Sequence, residues 1–289
     1  MKSHLPITIV CGSTATGKSN YAFNLAKDYK KVTIISVDSR QFYKYISIIS
    51  GQDNSSDIPG NVEFFGQGIL EPNQVSNIGD FKKFVQPIIL DAQKRNRKII
   101  LVGGSGLYLK AITENLSNTQ VVPDIEFRQK ADKMSVEELQ NILKDLNPSL
   151  FNSLNNSDIN NPRRLIRHIE ISRQPSHCES CTQAVAIQYQ WLGLRKSPEK
   201  LLNSIKQRVV ARLKNGAVDE VKALLKNYPD INLPIYSTLG IKEIICFLNK
   251  KITEDELINL WTIADNNYAK RQIVWFKKQP GIVWYDSNI

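Results

Sequence analysis

Gly12-Ser13-Thr14-Ala15-Thr16-Gly17-Lys18-Ser19 fits G-x-x-x-x-G-K-S/T, the P-loop pattern. The chemistry explains the spacing. Two glycines let the backbone curl until successive N–H groups face one point, where phosphate oxygens can sit. Lys18 adds a point charge, Ser19 can ligate Mg²⁺, and the helix that follows aims its N-terminal dipole at the anion. Such a segment between an apolar strand and a helix is built for a diphosphate or triphosphate. Asp38 follows the next apolar run and falls at a strand end, where open α/β sheets hold ligands. Two roles remain open for it on this ground alone: holding Mg²⁺ through water, or acting as a general base beside the phosphate site. Gly103-Gly104-Ser105-Gly106 makes a second strand-to-helix turn. Glycine there is explained by the tight turn itself, but two such turns on neighbouring strands open at one edge of a sheet.

Two basic runs complete the set. Asn161-Pro162-Arg163-Arg164-Leu165-Ile166-Arg167 puts Arg163 and Arg167 one helical turn apart. Tyr268-Ala269-Lys270-Arg271-Gln272-Ile273-Val274-Trp275-Phe276-Lys277-Lys278 interleaves cations with aromatics and carries no acid. Each alone reads more often as a solvated helix face. Together, beside a P-loop, they suit a nucleic-acid backbone with bases to stack on, as in RNA.

The elements that must position these groups follow from periodicity. Ile7 to Cys11, Val32 to Val37 and Ile99 to Val102 read as buried strands, with helices over Asn20–Asp28 and from Leu107. Strands alternating with helices predict a parallel sheet covered on both faces. Asp124 to Arg173 is helical and polar without a strong strand, so it reads as an inserted helical unit. Ala186 to Leu194 is a further strand candidate. Glu199 to Lys226 reads as one long amphipathic helix on Leu202, Ile205, Val209, Leu213 and Val221. Thr253 to Lys278 is helical and ends at Pro280-Gly281, and Gly51 to Asn61 is a polar loop expected to be mobile. The predicted fold is α/β, a P-loop NTPase-like parallel sheet flanked by helices with a helical insertion domain. Its expected bounds are 1–115 for the first part of the core, 116–185 for the insertion and 186–289 for the rest.

Composition removes other classes. Of 289 residues, 42% are hydrophobic and 23% charged, which is a folded protein's balance and excludes a disordered one. No apolar run approaches a membrane span, and Met1 to Pro6 leads straight into a strand, so neither a span nor a signal peptide is expected. Four cysteines make no disulfide framework. Cys178 and Cys181 lack a second pair at zinc spacing, so a cytoplasmic, metal-free reading of the cysteines is preferred. The net charge of +10 admits a polyanionic partner or a basic surface kept for solubility.

Taken in order, the motifs resemble the tRNA dimethylallyltransferases, also called tRNA isopentenyltransferases. They are the P-loop, Val37-Asp38-Ser39-Arg40-Gln41-Phe42-Tyr43, Val102-Gly103-Gly104-Ser105-Gly106-Leu107-Tyr108-Leu109 and Asn161 to Glu170. Arg208 with Gly216 to Val221, Leu239-Gly240-Ile241-Lys242-Glu243, and Tyr268 to Gln272 with Trp275-Phe276 follow. The resemblance covers most of the chain. It implies transfer of a dimethylallyl group from dimethylallyl diphosphate to N6 of adenosine 37 of tRNA, by a cytoplasmic monomer using Mg²⁺. On this likeness Gly12, Ser13, Thr14, Ala15, Thr16, Gly17, Lys18 and Ser19 would hold the diphosphate, with Ser19 on the metal. Asp38 would take the proton from N6, with Ser105 beside it and Arg208 on the leaving diphosphate. Asp38, Ser39, Arg40, Gln41, Ser105, Arg128, Arg163, Arg164, Arg167, Lys270 and Arg271 would contact tRNA, with the target base flipped out of its stack.

The chain departs from the family pattern at several places. Ser13 replaces a proline, Ser105 a threonine and Ile241 a tyrosine. Phe64-Phe65 stands for a His pair, Gln52 to Ser55 lacks a Thr-x-Lys-Pro stretch, and Asp265-Asn266 replaces Thr-Arg. The alternatives are an adenylate isopentenyltransferase using free adenine nucleotide, against which the arginine-rich insertion argues, and a P-loop NTPase acting as an RNA-binding module.

Overall fold

Side chains along Ile7–Gly12, Val32–Ser36 and Lys98–Gly103 are buried without exception, the signature of strands covered on both faces. The computed structural model describes residues 5–75, 77–114, 121, 123–173 and 188–287. Its strands are β1 (Ile7–Gly12), β2 (Val32–Ser36), β3 (Val62–Phe65), β4 (Lys98–Gly103), β5 (Tyr189–Arg195) and β6 (Ile282–Asp286). They form one sheet in the order β3-β2-β4-β1-β5-β6, every neighbouring pair parallel. The helices of the first half are α1 (Lys18–Ala26), α2 (Ser47–Ser50), α3 (Ile78–Lys94), α4 (Gly106–Thr113), α5 (Ile125–Ala131), α6 (Val136–Leu146) and α7 (Pro148–Ser153). Those of the second are α8 (Asn156–Ile159), α9 (Pro162–Arg173), α10 (Pro198–Lys214), α11 (Ala217–Asn227), α12 (Ile241–Leu248) and α13 (Glu254–Lys277). The fold is α/β, as predicted.

The period of two along each strand divides the core. Ile7, Ile9, Cys11, Ile35, Ile99 and Leu101 face one side, packed with Phe81, Val85 and Ile89 of α3, Leu109 of α4 and Phe276 of α13. Val10, Ile34, Ile100 and Val102 face the other, against Ala22, Phe23 and Ala26 of α1. Each fully buried Ile or Leu of this kind contributes about 2 kcal/mol of transfer free energy. A third core joins Ile46 and Ile49 to Val209 of α10, Val221 and Leu224 of α11, Ile244 of α12 and Trp261 of α13.

The described parts of Met1–Asn115 and Ala186–Ile289 form one unit, and those of Leu116–Val185 a second. The second unit has its own core, in which Phe127, Leu139, Leu143, Leu165 and Ile169 are buried together. Its α6 starts on a reciprocal cap: Glu138 N–H donates to Ser135 Oγ, and Ser135 N–H to Glu138 Oε2.

Two expectations, the single long helix and the burial of Leu202, are corrected. The long helix over 199–226 is two helices, because Gly216 takes φ +99° and turns the chain between α10 and α11. Leu202 lies outside the core at 42% exposure, and Leu201 is the buried neighbour on α10. The loop from Gly51 is fastened at its start. Gln41 Nε2 donates to Gly51 O at 2.6 Å, and Gln52 Nε2 donates to the carbonyls of Gln41 and Tyr43. Strands β3 and β6 and helix α3 had no counterpart in the sequence reading. Trp191 and Trp261 are buried and Trp284 is half-buried, whereas Cys178 and Cys181 lie outside the described residues.

Candidate active site

The strand order brings the chemistry to one edge. β2, β4 and β1 are neighbours, so the segments that leave their C-terminal ends are neighbours too. Those segments carry Asp38, Ser105 and the P-loop. Backbone and side-chain bonds tie them together: Ser105 N–H donates to Val37 O, and Ser39 N–H donates to Ser105 Oγ at 3.1 Å. Asp38 stays partly exposed, and its Oδ1 accepts the Arg40 N–H at 3.0 Å, which orients the carboxylate.

In the P-loop, Lys18 Nζ donates to Ser13 O at 2.7 Å and Thr16 Oγ1 to the same carbonyl at 2.9 Å, closing the curl. Ala15 sits at φ +60°, a left-handed conformation that costs an alanine of order 1 kcal/mol and that alternation of amide direction in an anion nest demands. Burial pushes the Lys18 ammonium down to about 8, with the Asp38 carboxylate opposing the shift and the Arg208 guanidinium adding to it. Arg208, on α10, donates to Thr14 Oγ1 at 2.7 Å. Two cations crowded beside inward-facing amides make a site that an anion would relieve. The cavity here measures about 350 Å³, and Thr14, Lys18, Ser19, Asp38, Asp53, Lys196 and Arg208 are among its lining residues.

The remaining predicted residues are distributed as follows. Gln41 is buried and accepts from Ser36 Oγ at 2.6 Å, so it braces the loop after β2. Arg40 donates to Ser237 Oγ, and Lys270 and Arg271 are exposed on α13. In the second unit, buried Glu170 of α9 accepts from Arg128 Nε and Nη2, which ties α5 to α9, and from Arg167 Nη1 within α9; both arginines stay partly exposed. Arg164 pairs with Asp158, and Arg163 is exposed with no ion pair among the described residues.

Several members of the site were not singled out from sequence. Gln272 Oε1 accepts the Thr14 N–H at 2.7 Å and its Nε2 donates to Gly104 O at 3.0 Å, one amide linking the P-loop to the second glycine turn. A Cβ on Gly104 would lie 2.2 Å from that Nε2, which is why the turn has glycine there. The Tyr268 hydroxyl lies near Ser105 and Gln272, and burial with the nearby Asp38 charge pushes it well above the ordinary range. Both lie in the Tyr268–Lys278 run, whose strongest sequence signal is its cations. Asp53 accepts from Ser19 Oγ at 3.1 Å and from Gln67 Nε2 at 2.9 Å. No spacing signal marks Asp53, which lies in an irregular loop. The serine hydroxyl and carboxylate together are hard oxygen donors beside an anion cradle, and such a set fits Mg²⁺. Among the described residues no group of three or more acids, histidines or cysteines could hold a metal ion.

Compared with known proteins, residues 41–279 match the family model described as IPP transferase. A tRNA dimethylallyltransferase of Halothermothrix orenii is 33% identical, over 98% of this chain and 88% of its own length. One of Caldanaerobacter subterraneus is 31% identical over 97% and 91%. The crystal structure of the full-length tRNA isopentenylpyrophosphate transferase of Bacillus halodurans superposes with a TM-score of 0.71 at 26% identity, covering 98% of this chain and 90% of that one. A eukaryotic dimethylallyltransferase acting on tRNA shares the fold with a TM-score of 0.80 at 23% identity, over 97% and 73%.

Proposed function

The chain belongs to the IPP transferase family, and from that premise we propose that it transfers a dimethylallyl group from dimethylallyl diphosphate to N6 of adenosine 37 in tRNA. The bond that breaks joins the allylic carbon to a diphosphate oxygen. The bond that forms joins that carbon to N6, and the N6 proton passes to Asp38. The observation that carries this reading is the placement of Asp38 beside the P-loop at one sheet edge, with its carboxylate oriented by the Arg40 amide. A base next to a diphosphate cradle serves attack on carbon bound to that diphosphate.

The P-loop amides, Lys18 and Arg208 take up the charge that grows on the departing diphosphate, and they are in place before it develops. Ser19 would hold Mg²⁺, which when bound supplies further neutralisation of that charge. Ser105 and Tyr268, close to each other and to Asp38, would form the wall against which the adenine is positioned. Lys270 and Arg271 on one unit, and Arg128, Arg163, Arg164 and Arg167 on the other, present the cations that meet RNA phosphate. Among the described residues no helix is long and apolar enough to cross a membrane. A cytoplasmic monomer is the form in which we expect it to act.

Asp38→Asn tests the role of the base. Single-turnover transfer should fall by about a hundred- to ten-thousand-fold, while affinity for dimethylallyl diphosphate changes little. Equal loss of diphosphate affinity would move Asp38 to a metal-holding role.

A further inference from the structure

Asp53 is a carboxylate inside the cavity that the reading above gives to a diphosphate. Two acids of like charge in one cavity repel, so an unassisted Asp53 would weaken the binding it lines. Among the described residues it has no ion pair. It is nevertheless held firmly. Its N–H donates to Gln67 Oε1 at 3.1 Å, and Gln67 Nε2 donates back to Asp53 Oδ2 at 2.9 Å and to Gln41 Oε1 at 3.1 Å. Gln41 is anchored in turn by Ser36 of β2. The carboxylate is thereby fixed with Oδ2 at 3.1 Å from Ser19 Oγ. Burial raises its proton affinity, against the pull of Ser19, Gln67 and Arg208, as expected of an acid lacking a close counter-charge.

We propose that Asp53 is a direct ligand of the divalent cation, sharing it with Ser19 and the diphosphate. Mg²⁺ is commonly held by one or two carboxylates together with substrate phosphate oxygens and waters. A cation between Asp53 and the diphosphate turns their repulsion into a bridge. The acid then makes substrate affinity depend on the metal, and Gln67 is the residue that aims it. This inference rests on the diphosphate reading of the P-loop.

The test is the sign of one substitution under two conditions. Binding of dimethylallyl diphosphate to wild type and Asp53→Asn is measured by calorimetry, first with EDTA and then with Mn²⁺. With EDTA the variant should bind as tightly as wild type or tighter, since a repelling charge is gone. With Mn²⁺ it should bind at least about tenfold more weakly. A shift in the same direction under both conditions would overturn the proposal, because a purely structural role for Asp53 predicts that. Failure of wild type to bind the diphosphate in either condition would instead overturn the P-loop reading beneath it. A second measurement needs no variant. Mn²⁺ bound with diphosphate to wild-type protein carrying carboxyl-¹³C aspartate should show a ¹³C hyperfine coupling, and its absence contradicts ligation by Asp53.

Discussion

Lys18 works at the scale of one ammonium, and its position sets a pH dependence with two opposite signs. Burial places it at about 8 in the ligand-free fold against 10.5 for the free side chain. Between those values the unfolded chain binds more protons, so this group makes stability rise with pH across that window. Below about 8 the buried ammonium is a standing cost to the fold. Diphosphate affinity runs the other way, because the charge the anion needs is lost as pH rises through 8. Calorimetry from about pH 7 to 9 should therefore show affinity declining, approaching about tenfold per pH unit, with a flat profile for Lys18→Met. A flat wild-type profile would remove Lys18 from the cradle. The gathering of Gly12–Ser19, Asp38 and Ser105 at one sheet edge was legible in the sequence, because patterns with fixed spacing mark each of them. Asp53, Gln67 and Gln272 were not. Their roles arise from contacts between segments tens to hundreds of residues apart, and no local pattern encodes those.

Elements were legible where periodicity was strong and uninterrupted. The three buried central strands and the long C-terminal helix were readable for that reason. Strand β3 has only half-buried side chains and β6 mixes half-buried with exposed ones, so neither shows a clean apolar run. The break between α10 and α11 was hidden because apolar spacing continues past it, through Leu213 to Val221. Gly216 alone marks it. A Cβ there would meet only Ile48 Cδ1 at 3.8 Å, an ordinary contact, so the penalty of a side chain is purely one of backbone conformation. Gly216→Ala should lower unfolding free energy by about 1–2 kcal/mol in denaturant titration, with no steric component. Unchanged stability would mean that the helices can run through the break. The split also has a purpose for the site: α10 brings Arg208 to Thr14, and α11 places Glu220 Oε1 on Ile48 N–H and Oε2 on Ile49 N–H, securing α2 just before Gly51.

For the whole molecule, the proposed function gives the +10 charge two anions to meet. One would be a diphosphate at the sheet edge, the other an RNA backbone. Some of the insertion's arginines have internal work, since Arg128 and Arg167 neutralise buried Glu170. Exposed Arg163 and Lys270, without an ion pair among the described residues, are the cleaner candidates for phosphate contact under that reading. Replacing either with Gln should weaken tRNA binding about uniformly across sequences and reduce the slope of log affinity against log salt by about 1. Diphosphate affinity should be untouched, and an unchanged salt slope would take that side chain off the RNA. The central claim, prenyl transfer to tRNA, is tested most directly by product analysis. The full chain is incubated with Mg²⁺, dimethylallyl diphosphate and either unmodified tRNA or AMP, and nucleosides are then resolved by mass spectrometry. A single prenyl increment on adenosine 37 of tRNA, with AMP unmodified, is the predicted result. Prenylation of AMP alone, or ATP hydrolysis with no prenylated product, would contradict it.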